Sequence, residues 1–172
     1  IMAILKPNRD NLTSAVNLLK NGELVAFPTE TVYGLGADGF NKNAVAKIFE
    51  VKKRPTFNPL ILHVSSLKML NTVASYTSDK IQLLVDNFWP GPLTLILKKK
   101  ESVPYIVTSG LETVAIRMPK NDIALDLINK LDRPIAAPSA NSFSKLSPTS
   151  AEHVEKQLGD KVNIILDGGR CD

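Results

Sequence analysis

The sequence predicts a mixed α/β (α+β) domain in which helices flank one twisted sheet. Helical and strand patterns alternate along all 172 residues, without an internal repeat, a low-complexity segment or a linker. Some consecutive strands have no helix between them, which excludes a purely parallel sheet. A hydrophobic content of 44% with 22% charged residues is ordinary for one globular domain of this length.

The predicted helices carry apolar residues at i, i+3 and i+4, the spacing of one buried helical face. They cover residues 10–20, 43–52, 66–74, 78–88, 122–131 and 150–158. Asp10 or Asn11 is expected to cap the first helix, and Gly22 is expected to end it. The pattern Thr149-x-x-Glu152 predicts a capping box at the start of the last helix.

The predicted strands are short apolar or alternating runs bounded by glycine, proline and polar turn residues. They cover residues 24–27, 60–65, 93–97, 113–118, 135–139 and 162–166. Residues 28–39 are predicted to form a loop. There Thr29, Glu30 and Thr31 crowd hydroxyls and a carboxylate at the end of a strand, where ligands often bind in α/β sheets. A structural turn is the alternative interpretation.

The segment Lys52-Lys53-Arg54-Pro55 ends the second helix. Lys52 lies four residues after Ile48 and hence on the buried face, whereas Lys53 points toward water. Arg54 precedes a proline, which disfavours helical geometry and lets its side chain project into a cleft. Compensation of the helix dipole explains Lys53, but it explains a lysine on the apolar face poorly. The segment therefore indicates an anion site.

The strand at 113–118 divides into two faces. Thr113, Ala115 and Arg117 share a face that is small and polar except for one guanidinium, while the other face is apolar. Small residues beside a fixed cation indicate the floor of an anion pocket. An ordinary half-exposed sheet is the alternative.

Two other strands add candidates to such a pocket. His63 lies on the face of its strand opposite to Leu62, although a lone strand histidine is more often structural than functional. Ala137, Ser139 and Asn141 line one face if the strand at 135–139 extends that far.

Composition narrows the class of protein. A net charge of +4 is compatible with a nucleotide or RNA partner and identifies neither. The basic run at 98–100 is interpreted as a solvated strand end. A single cysteine, Cys171, with no apolar run of membrane length, indicates a cytoplasmic protein without a disulfide framework. Two histidines and one cysteine, widely separated, give no zinc-ligand spacing, so no protein-held metal is expected.

Seven segments occur in order over nearly the whole chain: Pro28-Thr29-Glu30-Thr31-Val32-Tyr33-Gly34-Leu35, Lys52-Lys53-Arg54-Pro55, Asn58-Pro59-Leu60, Trp89-Pro90-Gly91-Pro92-Leu93-Thr94, Val114-Ala115-Ile116-Arg117-Met118-Pro119, Pro138-Ser139-Ala140-Asn141 and Ser147-Pro148-Thr149. Together they closely resemble the YrdC family of threonylcarbamoyl-AMP synthases. Any one segment is weak evidence, whereas seven in register are highly specific.

The resemblance implies a nucleotidyltransferase that uses ATP, L-threonine and bicarbonate (or CO2). Its products would be threonylcarbamoyl-AMP and pyrophosphate, for threonylcarbamoyladenosine modification of tRNA. The implied catalytic residues are Lys52, Arg54, Ser139 and Asn141. The implied ATP contacts are Arg54, Asn58, Thr113, Ser139 and Ser147. The implied threonine contacts are Thr31, His63, Arg117 and, through its backbone, Ala137.

The resemblance also implies a YrdC-like fold with an open basic cleft, and Mg2+ carried mainly by the ATP phosphates. Implied partners are tRNA or double-stranded RNA and a downstream threonylcarbamoyl transferase complex, without a membrane. Residues 1–172 would be one YrdC-like domain. It would lack the Gly/Ser/Thr-rich C-terminal strand that follows Asp167-Gly168-Gly169 in the family, and the second domain of the longer branch.

Two other functions fit the same residues. One is a non-catalytic RNA-binding module, consistent with the basic charge. The other is the YrdC-like domain of a HypF-type carbamoyltransferase, which would form carbamoyl-AMP.

Overall fold

One nine-stranded mixed sheet organises the fold of the computed structural model, which describes residues 3–171; residues 1, 2 and 172 of the predicted domain lie outside that range. The strands are β1 (Ala3–Leu5), β2 (Val25–Pro28), β3 (Tyr33–Asp38), β4 (Ile61–His63), β5 (Ala74–Ser75), β6 (Leu95–Lys99), β7 (Thr113–Arg117), β8 (Ile135–Ala136) and β9 (Ile164–Leu166). Their spatial order is β1-β9-β2-β3-β8-β4-β7-β6-β5.

Seven helices pack around this sheet in the described part of the chain. They are α1 (Arg9–Lys20), α2 (Lys42–Lys52), α3 (Leu67–Val73), α4 (Asp79–Phe88), α5 (Tyr105–Thr108), α6 (Asp122–Leu131) and α7 (Ala151–Leu158), the last followed by a short 3₁₀ turn, Gly159–Lys161. Parallel and antiparallel pairs share the sheet, so the predicted mixed α/β class is confirmed. Between residues 3 and 171, no helix has the length and apolarity needed to cross a membrane.

The principal error of prediction is β3, which the sequence analysis treated as part of a loop. This strand is buried along its whole length and pairs with β2 on one side and β8 on the other. Its glycines lowered its apparent strand propensity. Three short elements, β1, β5 and α5, were also not predicted, because two to four residues carry too little periodicity.

The glycines of β3 make room for the ring of Phe27. A Cβ atom at Gly36 would lie 2.8 Å from both Ile135 Cγ2 and Phe27 Cε1, and one at Gly34 would lie 3.3 Å from Phe27 Cζ. Phe27 can therefore lie across β3, fully buried, and its ring meets the ring of His63 edge-on, with centroids 6.1 Å apart.

Two helix caps differ from their predicted positions. Asn8 caps α1, and its side chain accepts a hydrogen bond from the Asn11 amide; the predicted caps, Asp10 and Asn11, lie within the first turn. Ser150 caps α7 by accepting from the His153 amide, so the predicted box at Thr149 begins one residue too early. In both cases neighbouring residues have equal capping ability, and the backbone path chooses between them.

The substitution Gly36→Ala is expected to lower the free energy of unfolding by about 1–3 kcal/mol, because the added methyl overlaps two buried side chains. Urea denaturation followed by circular dichroism measures the loss. Ser14→Ala, on the exposed side of α1, is the control and should change stability by less than about 0.5 kcal/mol. Equal stability of the two variants would contradict the packing described for Phe27.

Candidate functional site

One face of the sheet is partly open where β4, β7 and β6 lie side by side, and it carries three of the candidate residues, His63, Thr113 and Arg117. The registers of β4 with β7 and of β7 with β6 put every second side chain of each strand on this face. We call it the open face; its residues are Ile61, His63, Ile96, Lys98, Thr113, Ala115 and Arg117. The alternate residues of β6 and β7 are buried, whereas Ile96 is 70% exposed.

The open face has two levels along its strands. His63 of β4 is paired with Arg117 of β7, and these residues form one level. Thr113 lies four residues before Arg117, about 13 Å away along an extended strand. Ser139 belongs to the Thr113 level. Strand β8 runs antiparallel to β4, so the chain that follows β8 runs toward the start of β4. On this path the Ala137 amide donates to the Ile61 carbonyl.

Arg117 is held by the loop between β2 and β3. Its Nη2 donates to a carboxylate oxygen of Glu30 and, at 3.2 Å, to the Thr31 hydroxyl. The second Glu30 oxygen accepts from the Lys120 amide at 3.0 Å, which fixes the carboxylate. The buried Nε of Arg117 has no hydrogen-bond partner within residues 3–171. The guanidinium is thus anchored through Nη2 and keeps donors that no described residue satisfies, which can serve a ligand.

His63 is a neutral histidine in this environment. It is 5% exposed, and burial followed by the charge of Arg117 lowers the pKa of His63 to about 4, against the opposing effect of the Ile135 and Ile61 backbones. Its Nδ1 has no hydrogen-bond partner in the described part of the chain. At neutral pH the ring can therefore orient a substrate by a neutral hydrogen bond, without adding charge beside Arg117.

Lys52 is buried, as its position on the apolar face of α2 predicted, and only 2% of it is exposed. Its ammonium donates to the Ser139 carbonyl at 2.5 Å, to the Asn141 carbonyl, and to the Asn141 side-chain oxygen at 3.4 Å. Burial and then the charge of Arg54 lower the pKa of Lys52 to about 8. The ammonium thus ties the end of α2 to the segment that carries Ser139.

Asn141 is engaged within the same segment. Its amide nitrogen donates to the Ser142 carbonyl at 3.0 Å and to the Lys145 carbonyl at 2.7 Å. It therefore stabilises the turn after Ser139, and its predicted catalytic role stays a prediction. The Ser139 hydroxyl, by contrast, makes no hydrogen bond with any other residue between 3 and 171.

Arg54 leaves α2 as predicted and turns toward the chain before β4. Its Nε donates to the Asn58 carbonyl at 3.2 Å and its Nη2 to the Pro59 carbonyl at 3.0 Å. Burial lowers the pKa of Arg54, but an arginine stays charged. Lys53, in the left-handed conformation with φ 53°, is exposed, as expected for a solvated residue.

Four of the five predicted nucleotide contacts, all except Arg54, share one property. Within the described residues, the side chains of Asn58, Thr113, Ser139 and Ser147 form no internal hydrogen bond, so their polar groups are free for a ligand. Ser147 lies apart from the open face, on a cavity of about 1000 Å³ between the segment 142–149 and α7. Lys145 and Lys156 also line this cavity. His153 lies exposed at the edge of the cavity.

Glu30 was named in the sequence analysis only as part of a polar loop, and its pairing with Arg117 was not predicted. The two residues are 87 positions apart, and no local pattern links them. The only available signal was the isolated carboxylate in a basic chain. Across the described residues, no group of three His, Cys, Asp or Glu side chains is placed to hold a metal ion.

The fold and the open face together define a mixed α/β domain whose open face carries two cations, Lys98 and Arg117, and the free hydroxyl of Thr113. A family model for Sua5, YciO and YrdC proteins, described as telomere recombination, matches residues 17–172. The chain belongs to this family.

Individual relatives narrow the comparison. The chain is 54% identical over 155 residues to the threonylcarbamoyl-AMP synthase of Pyrococcus abyssi, a match covering 90% of this chain and 46% of the relative. It is 50% identical over 166 residues to that of Bacillus subtilis, a match covering 96% of this chain and 48% of the relative. The crystal structure of P. abyssi Sua5 complexed with L-threonine superposes with a TM-score of 0.94 at 49% identity. The match covers 99% of this chain and 51% of that structure's chain. The chain thus spans about half the length of these relatives.

Acidification from pH 6.5 to 4 is expected to destabilise the protein through His63, because the unfolded chain binds a proton on this histidine in that window while the native state does not. The contribution is about 3 kcal/mol at the acid end. Unfolding free energies measured across this range should fall less steeply in His63→Gln. The control is a substitution at an exposed position without a titratable group: Ser14→Ala should retain the slope of the parent protein. A parallel slope in His63→Gln would contradict the buried neutral ring.

Replacing Lys52 by Met is expected to lower the free energy of unfolding by about 2–4 kcal/mol, because buried carbonyls of Ser139 and Asn141 lose their donor. Lys53→Met removes the same charge from an exposed neighbour and should change stability by less than about 0.5 kcal/mol. Denaturant titration of both variants provides the comparison. If the two variants lose stability equally, the ammonium does not have the structural role described here.

Proposed function

We propose that this chain catalyses the synthesis of L-threonylcarbamoyl-AMP and pyrophosphate from ATP, L-threonine and bicarbonate or CO2. The observation that carries the proposal is the two-level open face, with a half-anchored guanidinium at one level and uncommitted hydroxyl and amide groups at the other. The name of the P. abyssi and B. subtilis relatives, and the L-threonine complex of P. abyssi Sua5, support the same reaction.

L-Threonine would bind at the Arg117 level. Its carboxylate would accept hydrogen bonds from the guanidinium donors of Arg117 that no described residue satisfies, while Glu30 keeps the guanidinium in place. Thr31 and the neutral His63 ring would contact the polar groups of the amino acid, and the backbone of Ala137 would complete the site. The amine would then face the Thr113 level.

The reaction joins two anions. The amine of threonine adds to CO2 and loses a proton to give a carbamate. A carbamate oxygen attacks the α-phosphorus of ATP, and the bond from that phosphorus to the β-phosphate oxygen breaks to release pyrophosphate. The protein must therefore hold the two substrates in line and offset their mutual repulsion, for which no covalent intermediate is required.

The nucleotide would bind at the Thr113 level. Arg54, Asn58, Thr113, Ser139 and Ser147 are its proposed contacts. Arg54 would offset phosphate charge, and the Ser139 hydroxyl would donate a neutral hydrogen bond. Lys52 and Asn141 would act by positioning the Ser139 segment, since their own donors are engaged with backbone oxygens.

Mg2+ fits this site as a companion of the nucleotide. Glu30, the carboxylate of the loop beside the open face, is already bonded to Arg117 and to the Lys120 amide. The ion would consequently be held mainly by the ATP phosphates and water, and it would partly neutralise their charge. We propose the cytoplasm as the compartment of the protein. We propose a threonylcarbamoyl transferase complex acting on tRNA as the downstream consumer of threonylcarbamoyl-AMP.

Pyrophosphate release is expected from ATP, Mg2+ and bicarbonate only when L-threonine is added. Arg117→Gln should raise the KM for threonine by more than about tenfold and change the KM for ATP by less than about twofold, because the lost charge faces the amino acid. Lys20→Gln, an exposed charge change on α1, is the matched control.

Each of three outcomes would reject the proposed synthase reaction, and two of them would indicate a different function. Pyrophosphate release that requires carbamoyl phosphate rather than threonine would indicate a HypF-type carbamoyltransferase. Salt-dependent RNA binding without turnover would indicate a binding module. Turnover that ignores threonine in a folded protein would exclude the synthase reaction outright.

A further inference from the structure

We propose that Lys98 is an additional nucleotide-binding residue, which contacts the ATP phosphates beside Thr113. The inference rests on the proposed function and adds a residue to that site. Its basis is the placement of Lys98 in the sheet, its exposure, and the engagement of the other cations of the site.

The register of β6 fixes where Lys98 lies. Lys98 is paired with Thr113 of β7 and, on its other side, with Ser75 of β5. Directly opposed residues of antiparallel strands have Cβ atoms about 5 Å apart on the same face. Lys98 is therefore on the open face, at the Thr113 level, and a neighbour of a proposed nucleotide contact.

The neighbours of Lys98 in the basic run have other positions. Lys99 lies on the opposite face, with its ammonium 4.0 Å from the centre of the Tyr105 ring. The ammonium of Lys100 donates to the Asn71 carbonyl. Lys98 is exposed and forms no hydrogen bond or ion pair with another residue in the range 3–171. Lys98 therefore fits the interpretation of a solvated strand end, whereas Lys99 and Lys100 are engaged with other residues.

Three other cations near the open face are already bonded, whereas Lys145 and Lys156 line the separate cavity beside Ser147. Lys52 is bound to carbonyls of the Ser139 segment, Arg54 to carbonyls before β4, and Arg117 to Glu30. An ATP molecule brings three phosphates and a charge of about −4, which Mg2+ and the partly engaged Arg54 would offset only in part. An ammonium on a flexible four-carbon stem is a suitable point charge for a phosphate. Lys98 supplies it on the side of Thr113 away from β4.

The experiment compares Lys98→Gln with Lys98→Arg and with Lys20→Gln, the remote control of equal charge. Calorimetric titration measures Kd for Mg-ATP, AMP and L-threonine, and steady-state assays measure KM for ATP. We expect Lys98→Gln to weaken Mg-ATP binding about five- to tenfold, AMP binding less, and threonine binding by less than about twofold. Lys98→Arg should retain most of the affinity for Mg-ATP.

Wild-type Kd and KM for ATP in Lys98→Gln would overturn the inference while leaving the proposed function intact, provided that the parent protein shows threonine-dependent turnover. Equal losses for ATP and threonine, together with a lowered Tm, would instead assign Lys98 a structural role and also overturn the inference. A parent protein that neither binds ATP nor releases pyrophosphate would overturn both this inference and the proposed function.

Discussion

The buried ammonium of Lys52 is the interaction on which the candidate site depends. A lysine at the end of α2, 2% exposed, is stable there because backbone carbonyls of residues 139 and 141 accept hydrogen bonds from its ammonium. The lowered pKa shows that burial still penalises the charge. In return, one contact fixes two chain segments that lie 87 residues apart, and the Phe143 amide reinforces it by donating to the Lys52 carbonyl.

Placement of the proposed nucleotide groups follows from this contact. Arg54 comes two residues after Lys52, so the anchored helix end determines where its guanidinium meets the carbonyls before β4. Ser139 supplies its carbonyl to Lys52 and keeps its hydroxyl free, so the same residue is both held and available. A lysine that holds the donors of a site, without touching the ligand, is a positioning residue, and the stability of the fold and the geometry of the site are then coupled.

Local patterns predicted the elements, whereas contacts between distant segments determined the site. The helix at 122–131 was predicted to the residue, because its apolar spacing and its cap agree. The burial of Lys52 and the face shared by Thr113 and Arg117 also followed from periodicity. Strand β3 did not, because its glycines serve the ring of Phe27, a neighbour that periodicity cannot indicate. Nor could the placement of Lys98 beside Thr113, since it depends on the register of β6 with β7.

The pairing of Glu30 with Arg117 would let the proposed threonine site exist beside a bound carboxylate. A free guanidinium near ATP would attract any phosphate and would lose selectivity for the amino acid. Glu30 offsets the charge of Arg117 and is itself fixed by the Lys120 amide, so a second anion would gain mainly from the guanidinium donors that no described residue satisfies. Recognition would then depend on geometry more than on charge. In the proposed reaction, that arrangement would direct the phosphates to the Thr113 level and leave the Arg117 level to a small carboxylate.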